Sequence, residues 1–263
     1  MISNCIEELI KSDDPVLRNR AALALGKQGV SDDRTISALL SALKDPEWMV
    51  RGNAAKALAR LEPQNQSIFE HVIALLNDDE ESVIIEAFSA LHIMADNGFS
   101  PSNDLIETMT LFYSSSNTTT RTGLIQVLSK FAACKKSFID MIVMAVEDPC
   151  EEVRFWAIAA ANECPEAAIR ALPYLTKSME DDSDYIKYAS LSMIQSMGEL
   201  AHSATISVKN LYKSKDCHLI FMAVLTISNI AKGILDTDIL LKEYLISGNA
   251  DERRLVAAAI AQS

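Results

Sequence analysis

Apolar side chains along most of this chain recur at positions i, i+3, i+4 and i+7, the spacing of one face of an α-helix. The segment ISALLSAL before Asp45 and the segment MVRGNAAKALARL around Arg51 both follow this pattern, and a short acidic turn separates them. Together they predict a helical hairpin. Because a lone hairpin cannot bury its apolar face, we expect such hairpins to stack.

The second helix of this hairpin recurs at a nearly constant step. The positions equivalent to Arg51 are 18, 51, 84, 121, 154, 187, 220 and 254, which are 33, 33, 37, 33, 33, 33 and 34 residues apart. This regularity predicts about eight helical hairpins in one all-α repeat domain over residues 1–263, an α-solenoid.

A consensus can be read from the best-preserved copies. The pattern Asp-Pro-x-x-x-Val-Arg-x-x-Ala-Ala-x-Ala-Leu is clearest from Asp45 to Leu58 and from Asp148 to Ala161. It resembles the HEAT-repeat family, in the short bacterial form also seen in phycobilin lyases. The resemblance implies a right-handed α-solenoid, but many functions share this fold.

The resemblance also implies ion pairs, since the turn Asp and the second-helix Arg of HEAT repeats commonly pair within or between repeats. The residues that match this spacing are Asp45/Arg51, Asp148/Arg154 and Asp181/Lys187. Asp78 faces Ile84 instead, so we expect the third repeat to lack the pair.

Composition narrows the function classes. The net charge is −12, which argues against nucleic-acid binding because phosphate contacts need clustered Lys and Arg, and it is compatible with a basic protein partner. Five cysteines without a CxxC pair indicate reduced thiols in the cytoplasm. No signal peptide or apolar run of about 18 residues is recognisable, so no membrane segment is expected.

The motifs of catalysis are missing from the sequence. None of the four histidines is followed by Glu, and neither HExxH, GxGxxG, GxxxxGK[ST] nor GxSxG occurs. The missing His-Glu pairs distinguish the chain from the iron-binding HEAT-type deoxyhypusine hydroxylases. We therefore expect no enzyme, no metal site and no cofactor.

The second helices line the concave surface in HEAT-like stacks, and positions equivalent to 52, 53 and 56 are expected to face it. The residues at positions 52 and 53 are small or polar (Gly52, Asn53), as are their equivalents Thr122 and Gly123. In the second half of the chain they are aromatic or aliphatic: Phe155, Trp156, Tyr188, Phe221, Met222 and Leu255. Such a stripe is either a protein-binding surface or part of the core, and the sequence leaves both readings open.

The acidic turns, which gather on one edge of a solenoid, could steer a cationic partner or simply cap helix N-termini. The sequence thus favours a non-catalytic protein-binding scaffold or adaptor, including an inhibitor or immunity protein of a basic partner. The alternative is a chromophore-handling protein of the phycobilin-lyase type. A HEAT-like DNA glycosylase is disfavoured because the predicted concave face offers only Arg20 and Lys56 as basic residues.

Overall fold

A computed structural model describes residues 2–115, 117–131, 136–231, 242, 245–246 and 249–262 of the protein. The described residues form α-helices joined by short turns and 3₁₀ segments, with no strand among them. The helices are α1 Ile2–Lys11, α2 Pro15–Gln28, α3 Asp33–Ala42, α4 Trp48–Leu61, α5 Gln66–Ala74, α6 Glu81–Asp96, α7 Asn103–Ser115, α8 Thr118–Phe131, α9 Lys136–Ala145, α10 Glu151–Asn162, α11 Pro165–Lys177, α12 Asp184–Met197, α13 Thr205–Asn210, α14 Cys217–Ile230 and α15 Ala250–Gln262.

The helices group into two compact units, Met1–Phe138 and Ile139–Ser263. In the first unit the second helices α2, α4, α6 and α8 pack in a row, while α1 packs against α3. In the second unit α10, α12, α14 and α15 form such a row, and α11 contacts α13. Each unit is a stack of helical hairpins, so the all-α solenoid prediction is confirmed. One domain over residues 1–263 stays a prediction.

The turn residues explain where the second helices begin. Asp14 accepts a hydrogen bond from the Val16 N–H at 2.9 Å, and Asp216 accepts one from the His218 N–H at 2.8 Å. These carboxylates satisfy backbone donors that a helix start leaves without a partner. Helix capping therefore accounts for some of the turn acids without any ligand.

Small residues let neighbouring second helices approach closely. Ala55 and Ala57 of α4 are buried, and a Cβ atom added to Gly26 of α2 would lie 2.8 Å from the Ala57 Cβ. A Cβ atom on Gly123 of α8 would lie 2.3 Å from the ring of Phe88 on α6. Larger side chains at these positions would push the helices apart.

Arginines on the second helices join consecutive repeats. The Arg51 guanidinium donates to both carboxylate oxygens of Asp78, with Nε–Oδ2 and Nη2–Oδ1 distances of 2.7 and 2.6 Å. Its remaining nitrogen, Nη1, donates to the backbone carbonyls of Asp45 and Pro46 in its own turn. Asp78 also accepts from the Glu80 N–H at 3.0 Å, so this Arg–Asp staple holds two turns at once.

The same staple recurs with a separation of 27 residues, in Arg18–Asp45 and Arg154–Asp181. Of the two pairings left open, within or between repeats, Arg51 makes the one between repeats, because it reaches the carboxylate of the next turn. The expectation that Asp78 lacks a pair is wrong. Lys187 contacts Asp184 at 2.8 Å rather than Asp181.

The Asp78 carboxylate should make the free energy of unfolding of the first unit depend on pH. Burial opposes its ionisation, but the hydrogen bonds from Arg51 and the Glu80 N–H outweigh it and lower the pKa of Asp78. The staple is therefore fully effective above the unfolded-state pKa of about 4 and weakens as the pH falls through the lower folded-state pKa. In Asp78→Asn, the free energy of unfolding should be lower at pH 7 and fall less steeply below about pH 4.

Urea denaturation between pH 7 and pH 2.5 measures this difference. Asp79→Asn is the matched control. Asp79 follows Asp78 directly, and its exposed carboxylate has no ion pair or hydrogen bond in the described part of the chain. That control should keep the acid sensitivity of the parent protein. If the free energy of unfolding falls equally steeply with pH in the parent and in Asp78→Asn, the staple does not contribute to acid unfolding.

Candidate functional site

The predicted stripe lies on the row of second helices in the unit Ile139–Ser263. Trp156 is 36 % exposed, and Phe155, Tyr188, Phe221 and Met222 are half-buried. Leu255 belongs to α15, but its side chain lies outside the described residues. Among the residues whose side chains are described, the stripe is neither a fully exposed surface nor a closed core.

Three aromatic rings meet at the N-terminal ends of α10 and α12. The rings of Phe155 and Tyr185 stack, with centroids 4.7 Å apart and planes 28° from parallel. Trp156 meets Phe155 edge to face at 5.5 Å and 73°. Phe155 is therefore the half-buried middle of the cluster, with Tyr185, 58 % exposed, and Trp156 presenting ring surface to solvent.

Tyr185, the most exposed ring of this cluster, was not among the residues predicted from the sequence. It precedes Tyr188 by three residues, so both lie on the same side of α12. That spacing was the available signal. We call the six side chains Phe155, Trp156, Tyr185, Tyr188, Phe221 and Met222 the aromatic face.

Tyr188 is held in place by a hydrogen bond to the next repeat. Its hydroxyl donates to Asp216 Oδ2 at 2.8 Å, while Oδ1 of the same carboxylate caps α14. Burial and this hydrogen bond raise the pKa of the Tyr188 hydroxyl above its ordinary value. The neutral Tyr188 hydroxyl thus binds the Asp of the next repeat, as arginine does in the Arg–Asp staples. This hydrogen bond fixes one side of the aromatic face.

The corresponding positions of the first unit differ from the expectation. Gly52, Thr122 and Gly123 are buried, although they were expected on the concave side. Close packing is the reason at both glycines, since Cβ atoms there would collide with Glu86 and Phe88. Ile85 is 52 % exposed. The aromatic face is thus a feature of the second unit.

Acidic side chains flank the aromatic face. Glu152 lies in the first turn of α10, and Asp182 precedes α12 by two residues; both are exposed. The Ser183 hydroxyl donates to Glu151 Oε1 at 2.6 Å, which holds the turn before α12 against the start of α10. No group of three His, Cys, Asp or Glu side chains within the described residues could hold a metal ion.

The repeats of the first unit resemble a known repeat family. The family model described as HEAT repeats matches residues 2–96, where the Arg18–Asp45 and Arg51–Asp78 staples lie. The resemblance to HEAT repeats is therefore confirmed for residues 2–96. No curated protein matches the chain by sequence.

One solved structure resembles the fold of nearly the whole chain. YibA of Escherichia coli has a TM-score of 0.61 and 14 % identity, covering 99 % of this chain and 94 % of that one. The complex of CpcE and CpcF of phycocyanin lyase from Nostoc sp. PCC7120 has a TM-score of 0.48 and 19 % identity, covering 98 % and 94 %. A designed armadillo repeat protein has a TM-score of 0.45 and 18 % identity, covering 75 % and 100 %.

None of the helices in the described part of the chain is long and apolar enough to cross a membrane. Cys5, Cys150, Cys164 and Cys217 form no disulfide, whereas Cys134 lies outside the described residues.

Proposed function

We propose that this protein is a non-catalytic cytoplasmic scaffold that binds a partner protein on the aromatic face of its second unit. The observation that carries the proposal is the exposed ring surface of Trp156 and Tyr185, stacked about a half-buried Phe155. Trp and Tyr are enriched among residues that dominate binding energy, because they bury much area with little loss of side-chain freedom.

Contacts within the protein hold the side chains of the aromatic face in place, as a preformed binding surface requires. Phe155 is fixed between two other rings and Tyr188 is tied to Asp216, so the side chains are ordered before a partner arrives. Preorganised side chains lose less entropy on binding. A basic partner, such as a toxin held by its immunity protein, would also suit the net charge of −12.

The experiment compares affinity capture from native lysate by the parent protein and by Trp156→Ala/Tyr185→Ala. We expect the double variant to capture about tenfold less partner than the parent protein does, since two ring anchors at an interface centre are removed. Helicity measured by circular dichroism should be unchanged, because both side chains are largely or partly exposed.

The matched control is Ile169→Ala/Ile206→Ala, which removes exposed apolar side chains from the first helices α11 and α13. This variant should retain the partner. If the control loses the partner while the aromatic variant keeps it, the binding surface lies on the first helices and the proposal fails.

Exposed aromatic rings could also hold a flat open-chain tetrapyrrole, as the phycobilin-lyase alternative requires. Addition of a bilin would then change its visible absorbance, and Trp156→Ala/Tyr185→Ala would remove the change. An unchanged bilin spectrum, together with partner capture that depends on Trp156 and Tyr185, favours the scaffold.

A further inference from the structure

Two exposed carboxylates that precede the aromatic residues of α10 and α12 have no cationic partner in the described part of the chain. Glu152 lies one helical turn before Phe155 and Trp156, and Asp182 lies three residues before Tyr185. Both are exposed, and neither has a hydrogen bond or ion pair within the part of the chain that the structure describes. These two acids therefore remain available to an incoming molecule.

Three neighbouring acids differ, because each is already paired with a basic side chain of the protein. Asp181 is bound by Arg154, Asp184 by Lys187, and Glu147 by Lys177. The three nearby basic side chains thus contact other carboxylates. Glu152 and Asp182 thus keep negative charges that no ion pair of the described residues neutralises.

Exposed rings beside free carboxylates are the surroundings that a guanidinium group prefers. Its plane stacks on aromatic rings, and its edge donates two parallel hydrogen bonds to a carboxylate. A lysine ammonium is a strongly hydrated point charge and makes no planar stack. An uncharged apolar segment would cover the rings but leave both carboxylates without partners.

We propose that the occupant of the aromatic face is an arginine-bearing segment of the partner protein. An arginine side chain lies on the exposed rings of Tyr185 and Trp156, and its guanidinium group pairs with Glu152 or Asp182. This inference rests on the proposed scaffold function, and it adds the chemistry of the segment that is recognised.

The first test selects peptides from a random 12-residue library displayed on phage. Phage are enriched on the parent protein after depletion on Trp156→Ala/Tyr185→Ala, so that only binders of the aromatic face remain. We expect arginine to be enriched several-fold over its frequency in the starting library, and more strongly than lysine.

The possible results separate the two proposals. Binders enriched without arginine would overturn the arginine inference and leave the scaffold proposal intact. If no binder depends on Trp156 and Tyr185, both proposals fail together. Enrichment of arginine and lysine to the same extent would indicate general charge attraction and would also overturn the inference.

The second test measures affinity with a defined probe, acetyl-(Gly-Arg)4-amide. Fluorescence of Trp156 in a Trp48→Phe background reports binding at the aromatic face. We expect (Gly-Arg)4 to bind about tenfold more tightly than (Gly-Lys)4, because only the guanidinium can stack. Glu152→Gln/Asp182→Asn should weaken (Gly-Arg)4 binding by about tenfold and reduce its salt dependence.

Glu163→Gln/Glu166→Gln is the matched control, with the same change in net charge at exposed positions at the end of α10 and the start of α11. This variant should bind (Gly-Arg)4 as the parent does. Equal loss of affinity in both double variants would show that overall charge, rather than Glu152 and Asp182, attracts the peptide, and would overturn the inference.

Discussion

Replacing Arg51 with alanine is expected to lower the free energy of unfolding of the first unit by about 3 kcal/mol, because removing one member of a largely buried ion pair leaves the other without its partner. The Arg51 and Asp78 side chains are 13 % and 11 % exposed. The substitution also deprives the Asp45 and Pro46 carbonyls of their donor. Four hydrogen bonds linking α4 to two turns are lost with one side chain.

Tryptophan fluorescence during urea denaturation measures the change. Trp48 is the first residue of α4, so a Trp156→Phe background makes the signal specific for the unit that contains Arg51. Arg51→Lys should recover only part of the loss, since an ammonium cannot make the two-pronged contact.

Arg60→Ala is the matched control, because this exposed arginine lies at the C-terminal end of the same helix. It should change the free energy of unfolding by no more than about 0.5 kcal/mol. A similar effect from both substitutions would mean that the loss at position 51 comes from net charge or helix propensity rather than from the staple.

The staple also shows how far the sequence could be interpreted. The step of 33 residues predicted the hairpins because each copy must present the same apolar face to its neighbours. The partners of the arginines were left open between two alternatives, and Asp78 was wrongly expected to lack a pair. Spacing within a repeat, six residues from Asp45 to Arg51, is visible in the sequence. Contact over 27 residues, from Arg51 to Asp78, also depends on the offset between stacked turns, which the sequence does not state.

The aromatic face was predicted from the same periodicity, and the same limit applies. Phe155, Trp156 and Tyr188 could be grouped because they occupy equivalent positions of successive repeats. The spacing of three residues from Tyr188 could have added Tyr185 to this group, but its stacking on Phe155 depends on how α12 is displaced along α10. The small residues of the first unit were misplaced for a related reason: close helix approach buried Gly52 and Gly123.

Close approach leads to the second large effect, expected for Gly26→Leu. A Cβ atom at this position would lie 2.8 Å from the Cβ and 2.9 Å from the backbone Cα of Ala57. Since a backbone atom cannot move aside as a flexible side chain can, α2 and α4 must separate. We expect the free energy of unfolding to fall by about 3 kcal/mol, the upper end of the usual range for overpacked cores.

The same single-tryptophan urea denaturation measures this loss, with Lys27→Leu as control. Lys27 is the next residue of α2 and is exposed, so leucine there should change the free energy of unfolding by no more than about 0.5 kcal/mol. Adding Ala57→Gly to Gly26→Leu should restore part of the stability, because it removes the nearer of the two obstructing atoms. Additive effects of the two substitutions would contradict direct contact, since neighbouring residues that collide must show coupling.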